Sequence, residues 1–526
     1  MPLYFTFDAS QVGKVTPMAV LIHAELDDAA SVPASDWQHL SIRCVAMPQV
    51  ALPKQLMTSI TWSSDDSLLL DNGAEHSFLR AYRSLGFNTV PLVSMPSMFI
   101  NKAEAGSNNS IAPGAWRWMY PSNRSGPLWQ GTGSQEGALL FGPEVSAPDP
   151  SGGASSCKKP PNASLLPAGL TDDQAATEMK KWQAAFEFSQ KTNGHLDVAY
   201  DGVFSRVNTE SFCTMMSLTR PDWVFMDDEA FGEGWGTWRT EVAQSGNAAA
   251  RAMPGEQQED LAWRMVAELL QAWTQCLADV SPKTTVAWYG NPFPDRLFSD
   301  AGISMQPSEY GPQHYLKTFS SRLRAAKQRQ SPMAGGRPRH MLPWLTACTY
   351  GQMDAVAVLE STLHSYGAGA TGFSFFIDSC FDDMGKLLAL STATALATPF
   401  EDFFFSGDPL VPDTAAASKG LRAWSGVRKG SELWVVLTPG KLAHTQPSDV
   451  HLELTVGSED GGESQATFVA CDLVSGDVAH LGQGPKISVR RRLAATTVLH
   501  IGPTAGETCE RNKLPPSAWV PHAPDA

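Results

Sequence analysis

Between Thr58 and Ala397 short apolar runs of β-forming residues alternate with longer stretches of helical period, and this rhythm limits the possible folds more than any other feature of the chain. Strands are expected at Thr58–Trp62, Asn88–Val93, Leu196–Tyr200, Asp222–Met226, Thr284–Tyr289, Ile303–Gln306, Met341–Thr346 and Gly372–Ile377. Helical patterns follow: one through Phe78, Leu79, Tyr82 and Leu85 that Gly86 stops, then Asp172–Gln190, Glu210–Leu218, Glu256–Asp279, Tyr315–Gln328, Asp354–Tyr366 and Asp383–Ala397. A short irregular link takes the place of a helix after the fifth strand. Repeated βα units require a parallel sheet, and this set fits an α/β fold of the (β/α)8 TIM-barrel type. A doubly wound open sheet is the alternative, but it normally carries a Gly-rich phosphate turn after its first strand, and none is present.

The flanks read differently. Residues 1–56 hold short apolar stretches (Leu3–Phe7, Ala19–His23, Leu40–Val45) that suggest a short N-terminal β segment. The barrel is expected over 57–404, interrupted by a long insertion at 98–171 rich in Gly, Ser, Pro and Asn. Trp116, Trp118, Tyr120 and Trp129 in its first half suggest an ordered aromatic lid, whereas Pro148–Pro161 reads as loose chain. From 405 to 503 the period falls to two, in Leu421–Trp424, Glu432–Leu437, Val450–Val456, Ala466–Leu473, Ile487–Val489 and Ala495–Ile501, which predicts an antiparallel β-sandwich. The tail, 504–526, is rich in Pro and charge and reads as an extended strap or unstructured chain.

Composition narrows the partners. The chain of 526 residues has a formal charge of −15, which argues against nucleic acid, because phosphate binding depends on clustered Lys and Arg. The one basic run, Arg490-Arg491-Arg492, reads as a solvated strand edge. No apolar run is long enough to span a bilayer, and MPLYFTFDAS lacks the regions of a signal peptide. A cytoplasmic location is expected unless a leader precedes this sequence, in which case the protein is secreted or lumenal. The eight cysteines form no CxxC pair, so zinc-ribbon and redox readings fall away, and no metal or other cofactor is expected. Most of them read as buried small residues, with room for one or two long-range disulfides. Sequons at Asn108, Asn123 and Asn162 tilt toward a glycoprotein.

The expected strand ends carry the chemistry. In Pro221–Trp238, PDWVFMDDEAFGEGWGTW, an apolar strand breaks into Asp227, Asp228 and Glu229 and then into a loop of glycines and aromatics. Other strand ends supply Asp65 and Asp66, Asp201, Glu309 and Asp378. Trp62, Tyr200, Trp288, Tyr289, Tyr310, Trp344 and Tyr350 interleave them. Several carboxyls at one barrel mouth perturb each other's pKa values, so one can stay protonated while another stays ionised. Paired acids in an aromatic-lined cleft are equipment for glycosidic bond cleavage, with rings stacking on sugar faces. The catalytic candidates are Asp227, Asp228 and Glu309. The substrate-binding candidates are Asp66, Trp62, Asp201, Glu229, Trp288, Tyr289, Tyr310, Trp344 and Asp378. Asp66 and Asp201 have a competing reading as helix caps, and Asp378 as a partner for a backbone amide.

An α/β barrel followed by a small sandwich, with its leading acid in FMDDE at the end of strand four, resembles the glycoside hydrolases, most of all the clan of α-galactosidases and α-glucosidases. In that clan the nucleophile ends the fourth strand and the acid/base ends the sixth. The resemblance therefore implies Asp227 or Asp228 as nucleophile and Glu309, in place of the clan's Asp, as acid/base. It further implies an oligosaccharide or glycoconjugate substrate. The clan with glutamates on strands four and seven fits less well, since Leu342–Ala347 ends without a carboxylate. Two rival readings stand beside this one. The first is a barrel that binds carbohydrate without cleaving it. The second is a metal-dependent hydrolase barrel, which the absence of HxH and HExxH motifs disfavours.

Overall fold

The computed structural model describes residues 15–19, 39–43, 50–59, 84–92, 112–115, 169–191, 223–226, 244, 251–280, 282, 284–289, 304–306, 308–309, 316–329, 340–347, 353–376, 384–411, 419–440, 447–455, 467–484 and 486–514. Near the N-terminus β1 (Val15–Ala19) pairs antiparallel with β2 (His39–Arg43). β1 begins four residues before the expected Ala19–His23, β2 begins one residue before the expected Leu40–Val45, and Leu3–Phe7 lies outside the described residues.

Two parallel ladders follow. One has the order β4 (Thr89–Leu92), β5 (Ala112–Ala115), β6 (Trp223–Met226), β7 (Thr285–Tyr289), β8 (Ser304–Gln306). The other has the order β3 (Met57–Thr58), β11 (Gly372–Phe376), β10 (Trp344–Thr346), β9 (Ser308–Glu309). Only Pro307 separates β8 from β9 in sequence. At the opposite end, the Asn88 N–H donates to the Thr58 carbonyl at 3.3 Å, so β3 also meets the start of β4.

Strand five of this numbering corrects the sequence reading. The ladder between β4 and β6 is filled by Ala112–Ala115, inside the insertion at 98–171 for which no strand was expected, whereas Leu196–Tyr200 lies outside the described residues. The segment APGA holds a proline without an N–H and a glycine without a side chain, both depleted in strands, so local preference hides it.

The seam between β3 and its neighbours is held by polar groups. Glu401 accepts the backbone N–H groups of Lys54, Gln55 and Leu56 at 2.7, 2.5 and 2.9 Å. Asn88 accepts from the Thr58 N–H at 3.0 Å and donates to the carbonyls of Pro53 and Leu56. Gly372, at φ +156°, lies opposite Met57, and a Cβ there would stand 2.2 Å from the Met57 carbonyl oxygen. Only glycine lets β11 come so close.

The described helices of this region are α1 (Asp172–Lys191), α2 (Gln258–Val280), α3 (Leu316–Arg329), α4 (Ala355–Gly367), α5 (Met384–Ala397) and α6 (Glu401–Ser406). Asp354 caps α4 by accepting from the Ala357 N–H at 2.8 Å. Among the described residues no helix is long and apolar enough to cross a membrane.

The C-terminal strands form two antiparallel sheets. Six strands run β12 (Asp408–Pro409), β13 (Leu421–Lys429), β14 (Glu432–Pro439), β19 (Thr497–Gly502), β16 (Thr467–Asp472), β17 (Val478–Gln483), and β15 (Ser448–Thr455) pairs separately with β18 (Lys486–Leu493). Leu433, Val435, Leu437 and Leu499 of the larger sheet share one core with Val450, Leu452, Ile487 and Val489 of the smaller. The other face of the larger sheet meets helices: Trp434 donates to the Leu396 carbonyl and stacks edge-on against Phe404 at 5.1 Å. Burial on both faces explains the unbroken apolar runs of β14 and β19, while β18, with one wet face, alternates. β17 was not foreseen, since its exposed VAHLGQ lacks a core-facing row.

The tail also departs from expectation. Residues Ala505–Asn512 form a helix, α7, tied to β16 by a Cys471–Cys509 disulfide across 38 residues. Charge and nearby prolines masked a helix whose stability comes from this tether.

Two consequences follow for stability. Glu401→Ala strands three backbone donors and is expected to lower the unfolding free energy by about 3 kcal/mol, as read by urea denaturation. Replacing Cys471 and Cys509 by Ser opens a loop of 38 residues and is expected to cost about 4 kcal/mol, an effect that reductant mimics in the wild type.

Candidate functional site

All described strands from β3 to β11 run parallel, so their C-terminal ends face one edge of the ladders. The candidate residues cluster at those ends in sequence. Asp227, Asp228 and Glu229 follow Met226, the last residue of β6. Glu309 ends β9, Trp288 and Tyr289 end β7, and Asp378 comes two residues after the end of β11. Trp62, Asp66, Asp201, Asp227, Asp228, Glu229, Tyr310 and Asp378 lie outside the described residues, and of Trp288, Tyr289 and Glu309 only the backbone is described.

Register places the backbones that are described. Met226 pairs with Trp288, and Trp288 with Met305, so these three form one rung. Tyr289 and Gln306 stand one step above it, and Glu309 four residues beyond Met305 in the chain. Glu309 pairs with Leu345, and Leu345 with Phe375. Phe373, on the same row as Phe375, meets the Tyr366 ring of α4 at 6.1 Å, and Thr58, opposite Phe373, bonds the Gly86 carbonyl. This row is the helix-facing one. The alternate row holds Ser308, Trp344 and Ser374. Trp344 is 1% exposed, so its ring is part of the packed wall and presents no open face.

A second group of titratable side chains lies where α4 packs on β13 and β14, and sequence reasoning missed it. Glu360 forms an ion pair with Arg422 and accepts from the Thr496 hydroxyl at 2.8 Å. Thr496 bonds Thr438 at 3.0 Å, Thr438 bonds His364 Nε2 at 2.9 Å, and His364 Nδ1 bonds Ser425 at 2.8 Å. The one local signal was Glu360 and His364 four apart on a helix. Their partners come from 61 to 136 residues away. Burial raises the Glu360 carboxyl above its ordinary pKa even though Arg422 opposes the shift. Burial, helped by Arg422 and Arg324, lowers His364 to about 3. Glu360 is 4% and His364 0% exposed, so this chain of hydrogen bonds holds two elements together and offers no surface to substrate. Elsewhere burial and Lys327 lower His340 to about 3. Among the described residues no cluster of His, Cys, Asp and Glu could hold a metal ion.

No family model matches the chain, and no curated protein matches it in sequence. Solved structures similar to it include an α-galactosidase from Geobacillus stearothermophilus in complex with stachyose, at 10% identity and a TM-score of 0.43, covering 85% of this chain and 56% of that one. An α-amylase from Geobacillus thermoleovorans, complexed with acarbose, gives 10% identity and a TM-score of 0.41 over 86% of this chain and 99% of its own. A glycoside hydrolase family 5 protein from Bacteroides vulgatus gives 10% and 0.41 over 88% and 90%.

His340 and His364, kept neutral by burial, contribute to the pH response of the fold. Their folded pKa values, near 3, lie below the unfolded value of 6.5, so the unfolded chain binds more protons between those limits. Stability contributed by each is therefore full above pH 6.5 and falls on acidification, by about 1.4 kcal/mol per pH unit for each group. Denaturant midpoints measured from pH 7 to pH 5 should fall, and His364→Gln should flatten the slope.

Proposed function

We propose that the chain is a glycoside hydrolase whose two parallel ladders form one closed (β/α)8 barrel, with the C-terminal sheets as a β-sandwich domain. The observation that carries this reading is the ladder order. Eight strand positions, β3, β4, β5, β6, β7, β8 with β9, β10 and β11, follow one another in chain order, and the Asn88–Thr58 bond joins the first to the second. A parallel ring accounts for that order and for the return to its start, and the mouths of such rings carry catalytic side chains at strand ends. Acids and aromatics follow those ends in this sequence: Asp227, Asp228 and Glu229 after the fourth, Trp288 and Tyr289 at the fifth, Glu309 at the sixth, Asp378 after the eighth.

On this reading Asp227 or Asp228 supplies the ionised carboxylate and Glu309 the proton. The substrate is an oligosaccharide or glycoconjugate. The backbone of Glu309 pairs with Leu345, and the proposal assigns its carboxyl to the barrel mouth. Its position supports a second reading on equal chemistry: a barrel whose acids hold sugar hydroxyls without cleaving the bond. Carboxyl separations of roughly 5 to 5.5 Å suit a retaining mechanism and roughly 6.5 to 9.5 Å an inverting one. The buried Cys471–Cys509 bridge fits a secreted or lumenal protein, since such bonds persist under oxidising conditions.

A panel of aryl glycosides tests the proposal, with product stereochemistry followed by NMR. Asp227→Asn, Asp228→Asn and Glu309→Gln are each made, and the nucleophile and the acid/base are expected to be the two whose loss lowers turnover by about 10² to 10⁴-fold at unchanged melting temperature. Full activity in all three variants refutes the carboxylate pair. Sugar binding without turnover in the wild type selects the second reading.

A further inference from the structure

The pleat splits the basic run of β18. Arg491 stands opposite Val450 on the core row, whereas Lys486, Ser488, Arg490 and Arg492 face outward and are exposed. On β15 the outward residues are Asp449, His451 and Glu453, while Val450 and Leu452 join Ile487 and Val489 in the core beneath. Lys419 extends this outer face by one more segment, since its backbone bridges His451 through two hydrogen bonds of 3.0 Å. Lys419, His451 and Arg490 are therefore neighbours in one row across three segments.

Gathering cations on one face of a sheet costs stability unless carboxylates answer them. Here they do not: among the described residues Lys419, Arg490 and Arg492 enter no ion pair, although Arg492 is the cross-strand partner of Asp449. The close approach on this face is His451 Nε2 to Glu453 at 3.7 Å, and the same nitrogen bonds the Ser488 hydroxyl at 2.8 Å. Open donors thus stand roughly 7 Å apart along β18 and roughly 10 Å apart across the strands, with two carboxylates among them. This mixture selects the partner. Duplex nucleic acid carries a charge about every 1.7 Å, and Asp449 and Glu453 repel so dense a row. The face holds no Trp, Tyr or Phe for a base to stack on and no apolar side chain to enter a bilayer. A sugar chain with acidic groups spaced by its rings can set them on the guanidinium forks, while its hydroxyls donate to the carboxylates between.

From these exposed, unpaired cations interspersed with carboxylates we infer that the outer face of β15 and β18 binds an acidic polysaccharide, one bearing carboxylate or sulfate groups. Arg490, Arg492 and Lys419 hold the anionic groups, and Asp449 and Glu453 accept from sugar hydroxyls. The face binds and cleaves nothing, so the inference stands whether or not the chain is a glycosidase.

Native electrophoresis of the full chain through gels holding polygalacturonate, dextran sulfate or neutral dextran tests it. Retardation by at least one acidic polymer and none by dextran is expected. Arg490→Ala combined with Arg492→Ala should raise the apparent Kd about tenfold or more at unchanged melting temperature, since both side chains are exposed. Lys180→Ala combined with Lys181→Ala, the same loss of charge on α1, should leave the retardation as it was. Absence of retardation by both acidic polymers overturns the site, as does retardation that survives the arginine substitutions or that falls equally with the lysine pair. Tighter binding to duplex DNA than to either acidic polymer, at one salt concentration, overturns the choice of partner.

Discussion

The fold depends on a two-residue strand. Met57–Thr58 stands between β11 on one side and the start of β4 on the other, and so short a strand contributes little hydrogen bonding of its own. Side chains from elsewhere hold it: Glu401 gathers three amides just before it, Asn88 bonds both its amide and the carbonyls that precede it, and Gly372 removes the Cβ that would push β11 away. A carboxylate from α6 thus fixes the entry to β3, and segments some 345 residues apart in sequence meet there.

The second constraint is the union of helices with the C-terminal sheets. Helix α4 is buried from Val358 to Gly367, with Tyr366 against Phe373 and Phe404 on the ladder side and His364 bonded to Ser425 and Thr438 on the sheet side. Phe400 and Phe403 enclose the ring of His500 in the same manner. The α4 contacts combine apolar burial with hydrogen bonds from both ring nitrogens of His364, and a polar group left unmatched in such a place is costly.

Much of this was legible in sequence where periodicity and caps agree. Asp172, Asp354 and the apolar rows of the helices placed α1 to α5 within two residues, and the runs ELWVVL and TVLHI announced strands buried on both faces. APGA was not legible, because its place in the ladder is decided by β4 and β6 and not by its own preferences. Nor was α7, whose AGETCERN carries little apolar surface and is held by Cys471. For the candidate site, strand ends could be located but side-chain facing could not. Parity along FMDDE says nothing of which row meets helices, and only the contact between Phe373 and Tyr366 assigns it. The Glu360 network was invisible because its members come from α4, β13, β14 and the link before β19, and no local pattern joins them.

The depth of α4 has an architectural consequence. Gly367, at its end, comes so near β13 that a Cβ would stand 2.2 Å from the Ser425 oxygen. A helix pressed on both sides has no wet face to fall back on, so a chain cut before β13 would bare the buried side of α4 to water.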